Sequence, residues 1–139
     1  MFIKPLHASF IMPTKGSNQA GAFDIYMPEA GVANEKSQVI KLGFAAAVPE
    51  GHVALLLPRS STGAKFGLEL NNTCGVIDAD YRGEWMAALR TKAGTPLFWK
   101  AGDRLLQFVV VPVPNITLMQ TDSLDTTERG EGGFGSSGK

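Results

Sequence analysis

The sequence predicts an all-β fold, a sandwich or barrel, and three observations favour it. Apolar residues recur in short runs rich in β-branched and aromatic side chains. Almost no stretch carries the sustained 3.6-residue period of an amphipathic helix. Clusters of Gly, Pro, Asn and Asp separate the runs about every ten residues, which is typical of strands joined by turns. The chain has 139 residues, 44% of them hydrophobic, which fits one domain with its own core.

The predicted strands are six runs, which in chain order are 38–48, 52–57, 66–70, 84–90, 96–99 and 104–113. The fourth run alternates, so Trp85, Ala87 and Leu89 are expected on one face and their more polar neighbours on the other. One short helical turn is expected near 61–67, "STGAKFG". We predict a folded body over residues 1–120 and, because the composition becomes polar and glycine-rich, a flexible C-terminal arm over residues 121–139.

Composition excludes several function classes. The formal net charge is zero, so general nucleic-acid binding through a basic surface is not expected. The lone Cys74 excludes an intrachain disulfide and a multi-cysteine zinc site, and it favours a reducing, cytoplasmic setting. No apolar stretch approaches the length of a membrane span, and the Walker phosphate-binding pattern matches nowhere.

Two loops contain groups that suit phosphate or metal chemistry. Asp24 lies in an otherwise apolar stretch, where a carboxylate either closes a turn or pairs within the fold, or else holds a hydrated Mg²⁺. Arg59, Ser60 and Ser61 follow a predicted strand and form either a phosphate clamp or an exposed polar turn.

The segment 71–85 is the most informative, although an ordinary Asp-rich hairpin is an equal alternative. Asp78 follows an apolar "GVI", and a carboxylate beside an apolar wall can act as a general base toward water. The Tyr81 ring offers a flat surface for a sugar or base. Asn72 carries the donor and acceptor needed to bind the edge of a pyrimidine.

The last predicted strand contains a polar amide in an apolar run. Gln107 must find a hydrogen-bond partner there, most commonly a backbone group, with a water or a phosphate oxygen as the alternative. Arg104 is predicted to pair with the preceding turn residue, Asp103.

Taken in order, five segments resemble the motifs of the homotrimeric dUTP nucleotidohydrolases, the dUTPases: "GAFDIY", "PRSSTGAK", "GVIDADYRGE", "GDRLLQ" and "RGEGGFGSSGK". The resemblance spans residues 21–139. It implies a jelly-roll-like β-sandwich that hydrolyses dUTP to dUMP and pyrophosphate with Mg²⁺, lowering dUTP and supplying dUMP for thymidylate synthesis. It also implies a homotrimer whose active sites are each assembled from three subunits.

The same resemblance assigns roles to individual residues. Asp78 matches the general base that activates water at the α-phosphate, and Gln107 matches a residue near that water. Tyr81 matches the ring under the deoxyribose, which excludes a 2′-hydroxyl. The remaining substrate contacts on the body match Arg59, Ser60, Ser61, Asn72, Gly75, Val76, Ile77 and Met86.

The resemblance also covers the metal and the arm. Asp24 matches the carboxylate that holds Mg²⁺ through water, with the triphosphate supplying the direct ligands. In the arm, Phe134 matches the ring that stacks on uracil. The groups that match phosphate contacts are Arg129, Gly135, Ser136 and Ser137.

Two alternatives belong to other classes. The related dCTP deaminases share the fold and use a glutamate downstream of the third motif, where this chain has "MAALR" at 86–90. The second alternative is a nucleotide-binding regulator or capsid-like module that does not hydrolyse nucleotides. Such a protein has no need for the carboxylate of Asp78.

Overall fold

The structure is a computed structural model in which residues 1–133 are described. In these residues the strands and the one helix follow the chain in this order: β1 Phe2–Pro5, β2 Thr14–Lys15, β3 Phe23–Tyr26, β4 Gly31–Ala33, β5 Gln38–Ala47, β6 His52–Pro58, α1 Ser60–Phe66, β7 Glu69–Leu70, β8 Gly75–Ile77, β9 Glu84–Arg90, β10 Leu97–Trp99 and β11 Arg104–Pro112. Every strand pairing is antiparallel. The all-β prediction is confirmed.

Two sheets form the layers of the sandwich. A four-stranded sheet has the order β1-β5-β9-β7, and a five-stranded sheet has the order β2-β3-β11-β6-β8. A small third sheet pairs β10 with β4. The five-stranded sheet brings the ends of β3, β6, β8 and β11 side by side, although these strands are far apart in sequence.

Aromatic side chains hold the two layers together. Trp85 on β9 packs edge-on against Phe108 on β11 with ring centroids 5.2 Å apart, so this contact crosses from one sheet to the other. The ring of Phe44 on β5 lies in the same sheet as Trp85, with ring centroids 5.1 Å apart. All three rings are almost fully buried, and each such ring contributes roughly 1.5–3 kcal/mol through loss of apolar area to water.

The alternation predicted for β9 is present. Trp85, Ala87 and Leu89 are buried, whereas Met86 and Arg90 are exposed on the opposite face. The helical turn expected near 61–67 is α1.

The strand predicted at 66–70 is wrong in its first half. Phe66 is the last residue of α1, and Gly67 ends that helix in the left-handed conformation with φ 62°. Only Glu69–Leu70 pair as a strand. Glycine adopts this conformation without a steric penalty, so the helix stops here and the chain turns before it joins the sheet.

Residues 113–133 contain no strand or helix, and nearly all of them are exposed. In residues 1–133, no helix is long and apolar enough to cross a membrane.

Candidate active site

The register between β3 and β11 builds the first part of the site. Gln107 lies directly opposite Asp24 in this antiparallel pair. The side chain of Gln107 donates from Nε2 to the backbone carbonyl of Pro58 at 3.2 Å, the backbone partner expected for an amide in an apolar strand. Asp24 is only 6% exposed, so its carboxylate needs partners within the fold.

The loop after β6 supplies the first partner. Arg59 precedes α1, and its Nε lies 2.9 Å from Oδ1 of Asp24. Two contacts fix Arg59 and α1 against β11: the backbone N–H of Arg59 donates to the carbonyl of Leu105 at 2.9 Å, and the buried hydroxyl of Thr62 donates to the same carbonyl at 2.8 Å. Sequence reasoning missed the anchoring role of Thr62, the buried residue of α1, because its burial depends on the packing of α1 against β11.

Arg104 supplies the second partner, and the predicted pairing with Asp103 is wrong. Nη1 of Arg104 lies 3.1 Å from Oδ2 of Asp24. The carboxylate of Asp103 instead accepts from the backbone N–H of Lys100 at 2.8 Å, within its own turn. The register between β3 and β11 shifts between Arg104 and Leu106, and a bulge of this kind redirects a side chain relative to the regular pleat.

These groups line a cavity of about 300 Å³. Its polar walls come from Asp24, Arg59, Ser60 and Gln107, and its remaining walls come from small residues of the loops before β3. Ser61 lies one residue further along α1 and is exposed. An arginine fork, a hydroxyl and an amide are donors that suit phosphate oxygens.

The charges around the cavity bear on the expected metal. Asp24 carries one negative charge and touches two guanidinium groups, so the cluster is positive. Residues 1–133 contain no group of three or more His, Cys, Asp or Glu side chains placed to hold a metal ion. Each carboxylate oxygen of Asp24 keeps a second lone pair that can accept from a metal-bound water. The two adjacent guanidinium groups oppose direct contact between Asp24 and a cation.

The hairpin leading into β8 builds the second part of the site. Asn72 donates from Nδ2 to the carbonyl of Cys74 at 3.1 Å, which fixes its amide and leaves Oδ1 facing away from that contact. Gly75 is buried, and a Cβ there would lie 3.0 Å from the Cβ of Leu56, so β8 sits close against β6. Val76 is 61% exposed and Ile77 is half-buried.

Asp78 and Tyr81 follow β8. Asp78 is exposed, and its carbonyl accepts from the backbone N–H of Tyr81 at 3.2 Å in a tight turn. The Tyr81 hydroxyl donates to the carbonyl of Glu84 at 3.0 Å, which holds the ring across the turn. Asp78 lines a second cavity, of about 690 Å³, together with Val76 and residues of the β6 and β11 ends.

Within one chain, the cavity around Asp24 and the hairpin with Asp78 lie apart from each other. Gln107 lies opposite Leu57 on β6, whereas Asp78 follows Ile77, which lies opposite Ala54. Asp78 is therefore level with the residue before Ala54, four positions from Leu57, a separation of about 13 Å along the strand at about 3.3 Å per residue. The cavity around Asp24 and the cavity around Asp78 share no lining residue.

Other predicted residues lie elsewhere. Met86 is on β9 in the four-stranded sheet, opposite Lys41 and 44% exposed. Arg129 is exposed and donates from Nε to the carbonyl of Gly132 at 2.9 Å. The arm residues that fall outside the described part of the chain are Phe134, Gly135, Ser136 and Ser137.

Known proteins match this chain along most of its length. The family model for dUTPase matches residues 8–138. The deoxyuridine 5'-triphosphate nucleotidohydrolase of Shewanella oneidensis is 42% identical over 108 residues, which are 77% of this chain and 71% of that protein. The protein of the same name from Dictyoglomus turgidum is 35% identical over 144 residues, covering 99% of this chain and 97% of its own.

A solved structure has the same fold. The dUTPase of Staphylococcus bacteriophage 80alpha with dUPNHPP superimposes with a TM-score of 0.89 at 28% identity, over 99% of this chain and 98% of that chain. The jelly-roll-like sandwich is therefore confirmed. Fold and site together define a β-sandwich protein with a polar cavity that Arg59, Ser60 and Gln107 line beside Asp24. The chain belongs to the dUTPase family.

Proposed function

We propose that this protein hydrolyses dUTP to dUMP and pyrophosphate. The observation that carries the proposal is the match of the dUTPase family over residues 8–138, which includes both the Arg59 cavity and the Asp78 hairpin. The dUMP formed is the precursor expected for thymidylate synthesis. We also propose a cytoplasmic setting, for which the single thiol of Cys74 is the supporting feature.

In the proposed reaction, the Asp78 carboxylate accepts a proton from a water molecule as that water forms a bond to the α-phosphorus. The bond between the α-phosphorus and the oxygen bridging to the β-phosphorus breaks, and pyrophosphate leaves with the electron pair. Arg59, Ser60 and Gln107 bind phosphate oxygens and orient the chain of phosphates. Asp78 is exposed, so water reaches it freely before the substrate binds.

Selectivity is proposed to rest on the hairpin. The Asn72 amide is held by the Cys74 carbonyl through its nitrogen, so its oxygen is available to accept from the N3–H of uracil. Cytosine has an acceptor at N3 and leaves that oxygen unpaired, which is the kind of mismatch that binding sites reject strongly. Tyr81 is proposed to pack under the sugar and exclude a 2′-hydroxyl.

We propose Mg²⁺ as the cofactor, held by Asp24 through water. When bound, it neutralises charge on the triphosphate and makes the α-phosphorus more open to attack. The positive cluster around Asp24 disfavours a bare cation, so the ion is expected to enter with the nucleotide.

We propose that the active site is shared between chains of a homotrimer. The separation of about 13 Å between the levels of Gln107 and Asp78 supports this, because both must reach the same phosphorus. A neighbouring chain that presents its own Asp78 hairpin to this chain's Arg59 cavity meets the requirement. The arm over residues 121–139 is proposed to cover the bound nucleotide.

The test is pyrophosphate release by the purified protein, with dUTP, dCTP, dTTP and UTP offered in parallel. We expect turnover of dUTP alone, lost on addition of a chelator and restored by Mg²⁺. Ammonia release from dCTP favours the deaminase alternative instead, and no turnover of any nucleotide contradicts the proposed function.

A further inference from the structure

The excess positive charge beside the cavity around Asp24 comes from a residue that does not line it. The only charged residues lining it are Asp24 and Arg59, one of each sign, so the described walls are neutral. Arg104 does not line the cavity, but its Nη1 lies 3.1 Å from the second carboxylate oxygen of Asp24. The cluster of three side chains therefore carries one excess positive charge.

We propose that Arg104 is a positioning residue that makes this cavity an anion site. It compensates the charge of Asp24 from outside the cavity, so the guanidinium of Arg59 is available to a polyphosphate. Without Arg104, Asp24 neutralises Arg59 and the cavity loses most of its attraction for anions. This inference rests on the proposed function and adds the residue on which phosphate binding depends.

Several contacts hold Arg104 where this role requires it. Its guanidinium lies over the ring of Tyr26, its cross-strand neighbour, at 5.8 Å from the ring centroid. The Tyr26 hydroxyl is fixed in turn by a hydrogen bond of 2.7 Å to the Thr14 hydroxyl. The backbone carbonyl of Arg104 accepts from Nη1 of Arg59 at 3.2 Å, so Arg104 also orients the other guanidinium.

The role differs from that of a structural ion pair in two measurable ways. A charge effect acts on anionic ligands and leaves a neutral nucleoside unaffected, whereas a distorted cavity or hairpin affects both. A charge effect also weakens with added salt, since the side chain of Arg104 is 41% exposed and is screened.

The experiment compares three variants of the full chain by calorimetric binding of tripolyphosphate and of deoxyuridine, each at low and high salt. Arg104→Gln removes the charge, and Arg104→Lys keeps it. Arg90→Gln is the matched control, because the Arg90 side chain is similarly exposed, at 44%, and pairs with one carboxylate, that of Glu69. Both residues lie in the four-stranded sheet, whereas Arg104 lies in the five-stranded sheet.

We expect Arg104→Gln to weaken tripolyphosphate binding by roughly 3- to 50-fold. Coulomb's law gives the lower limit for unit charges about 7 Å apart in water and the upper limit for the same charges at the lower dielectric constant of a protein surface. Deoxyuridine binding is expected to stay unchanged, and the loss is expected to shrink at high salt. Arg104→Lys is expected to recover most of the affinity, and Arg90→Gln to behave as the unaltered chain.

Several outcomes overturn the inference: equal losses for tripolyphosphate and deoxyuridine, no gain of Arg104→Lys over Arg104→Gln, or no tripolyphosphate binding by the unaltered chain. The binding measurements can be separated from the test of the proposed function, which is dUTP turnover. If the Arg104→Gln variant turns over dUTP normally, the role of Arg104 is refuted and the proposed function stands. If the unaltered chain does not turn over dUTP but binds tripolyphosphate in a way that depends on Arg104, the proposed function is refuted and the role of Arg104 stands.

Discussion

The Tyr81 ring occupies the space that a side chain at Gly83 would need. A Cβ on Gly83 would lie 2.6 Å from Cζ of Tyr81 and closer still to its hydroxyl oxygen. The same hydroxyl donates to the carbonyl of Glu84 at 3.0 Å. The glycine is therefore required for the ring to lie flat across the turn, where it is proposed to support the sugar.

Gly83→Ala is expected to displace the Tyr81 ring and to reduce discrimination between dUTP and UTP by about tenfold, the scale of a small steric mismatch in a binding pocket. The measurement is kcat/KM for both nucleotides. Tyr81→Phe is the control, because it keeps the ring and loses only the bond to Glu84, so discrimination should be largely retained. Unchanged discrimination in Gly83→Ala contradicts the role assigned to the ring.

The fold is predictable from sequence where a strand is long and its pattern regular. The alternation of β9 predicts its bounds, Glu84–Arg90, and its buried face. The short strands β1, β4 and β8 span three or four residues, too few to establish a period of two, and the sequence pattern does not predict them. β1 and β8 form on the longer strands β5 and β6, and β4 forms by pairing with the equally short β10. These pairings depend on tertiary contacts.

The site is predictable in its residue types and not in its contacts. Asp24 stands out as a carboxylate in an apolar run, and pairing within the fold is one of the interpretations that this pattern allows. The prediction that Arg104 pairs with Asp103 is wrong. The observed contact between Arg104 and Asp24 spans 80 residues of sequence and depends on a register shift in β11. Nothing local distinguishes Arg104 from an arginine that pairs within its own turn.

Asp78→Asn is expected to cut dUTP turnover by on the order of 10²–10⁴, the usual contribution of a general base, with dUTP binding nearly intact. Asp80→Asn is the matched control, since Asp80 is a carboxylate two residues away that is also exposed and has no assigned role. Steady-state turnover and calorimetric dUTP binding are measured on both. Equal activities in the two variants would refute the assignment of the base.

Thr73 adopts a positive φ of 68°, and in residues 1–133 no other residue besides glycines does so. A β-branched residue is strained there by about 1–2 kcal/mol, whereas asparagine tolerates this conformation. Thr73→Asn is therefore expected to raise the free energy of unfolding by about 0.5–1.5 kcal/mol and to preserve the preference for dUTP over dCTP.

The control for that change is Thr95→Asn, at an exposed turn threonine with an ordinary φ. Urea unfolding at one chain concentration measures both variants, since the stability of the proposed trimer would depend on concentration. A gain in Thr95→Asn equal to that in Thr73→Asn would show that backbone strain is not the cause.

Gly31→Ala is expected to destabilise the fold by about 1–3 kcal/mol, the usual effect of overpacking a filled core. A Cβ there would lie 2.7 Å from Cε2 of Trp99, whose ring is buried and whose Nε1 donates to the Glu29 carbonyl at 3.0 Å. Gly16→Ala is the control, because a Cβ at Gly16 meets nothing within 4 Å. Equal stabilities of the two variants in urea would contradict the packing argument.

Deletion of residues 128–139 is expected to abolish dUTP turnover and to leave the melting temperature almost unchanged. In the described residues the last strand ends at Pro112, and residues 112–131 are exposed, so the described part of the removed segment contributes little to the core. Turnover and thermal unfolding are measured at one concentration for the full and shortened chains. A large fall in melting temperature would make the arm a structural element, and undiminished turnover would remove it from the active site.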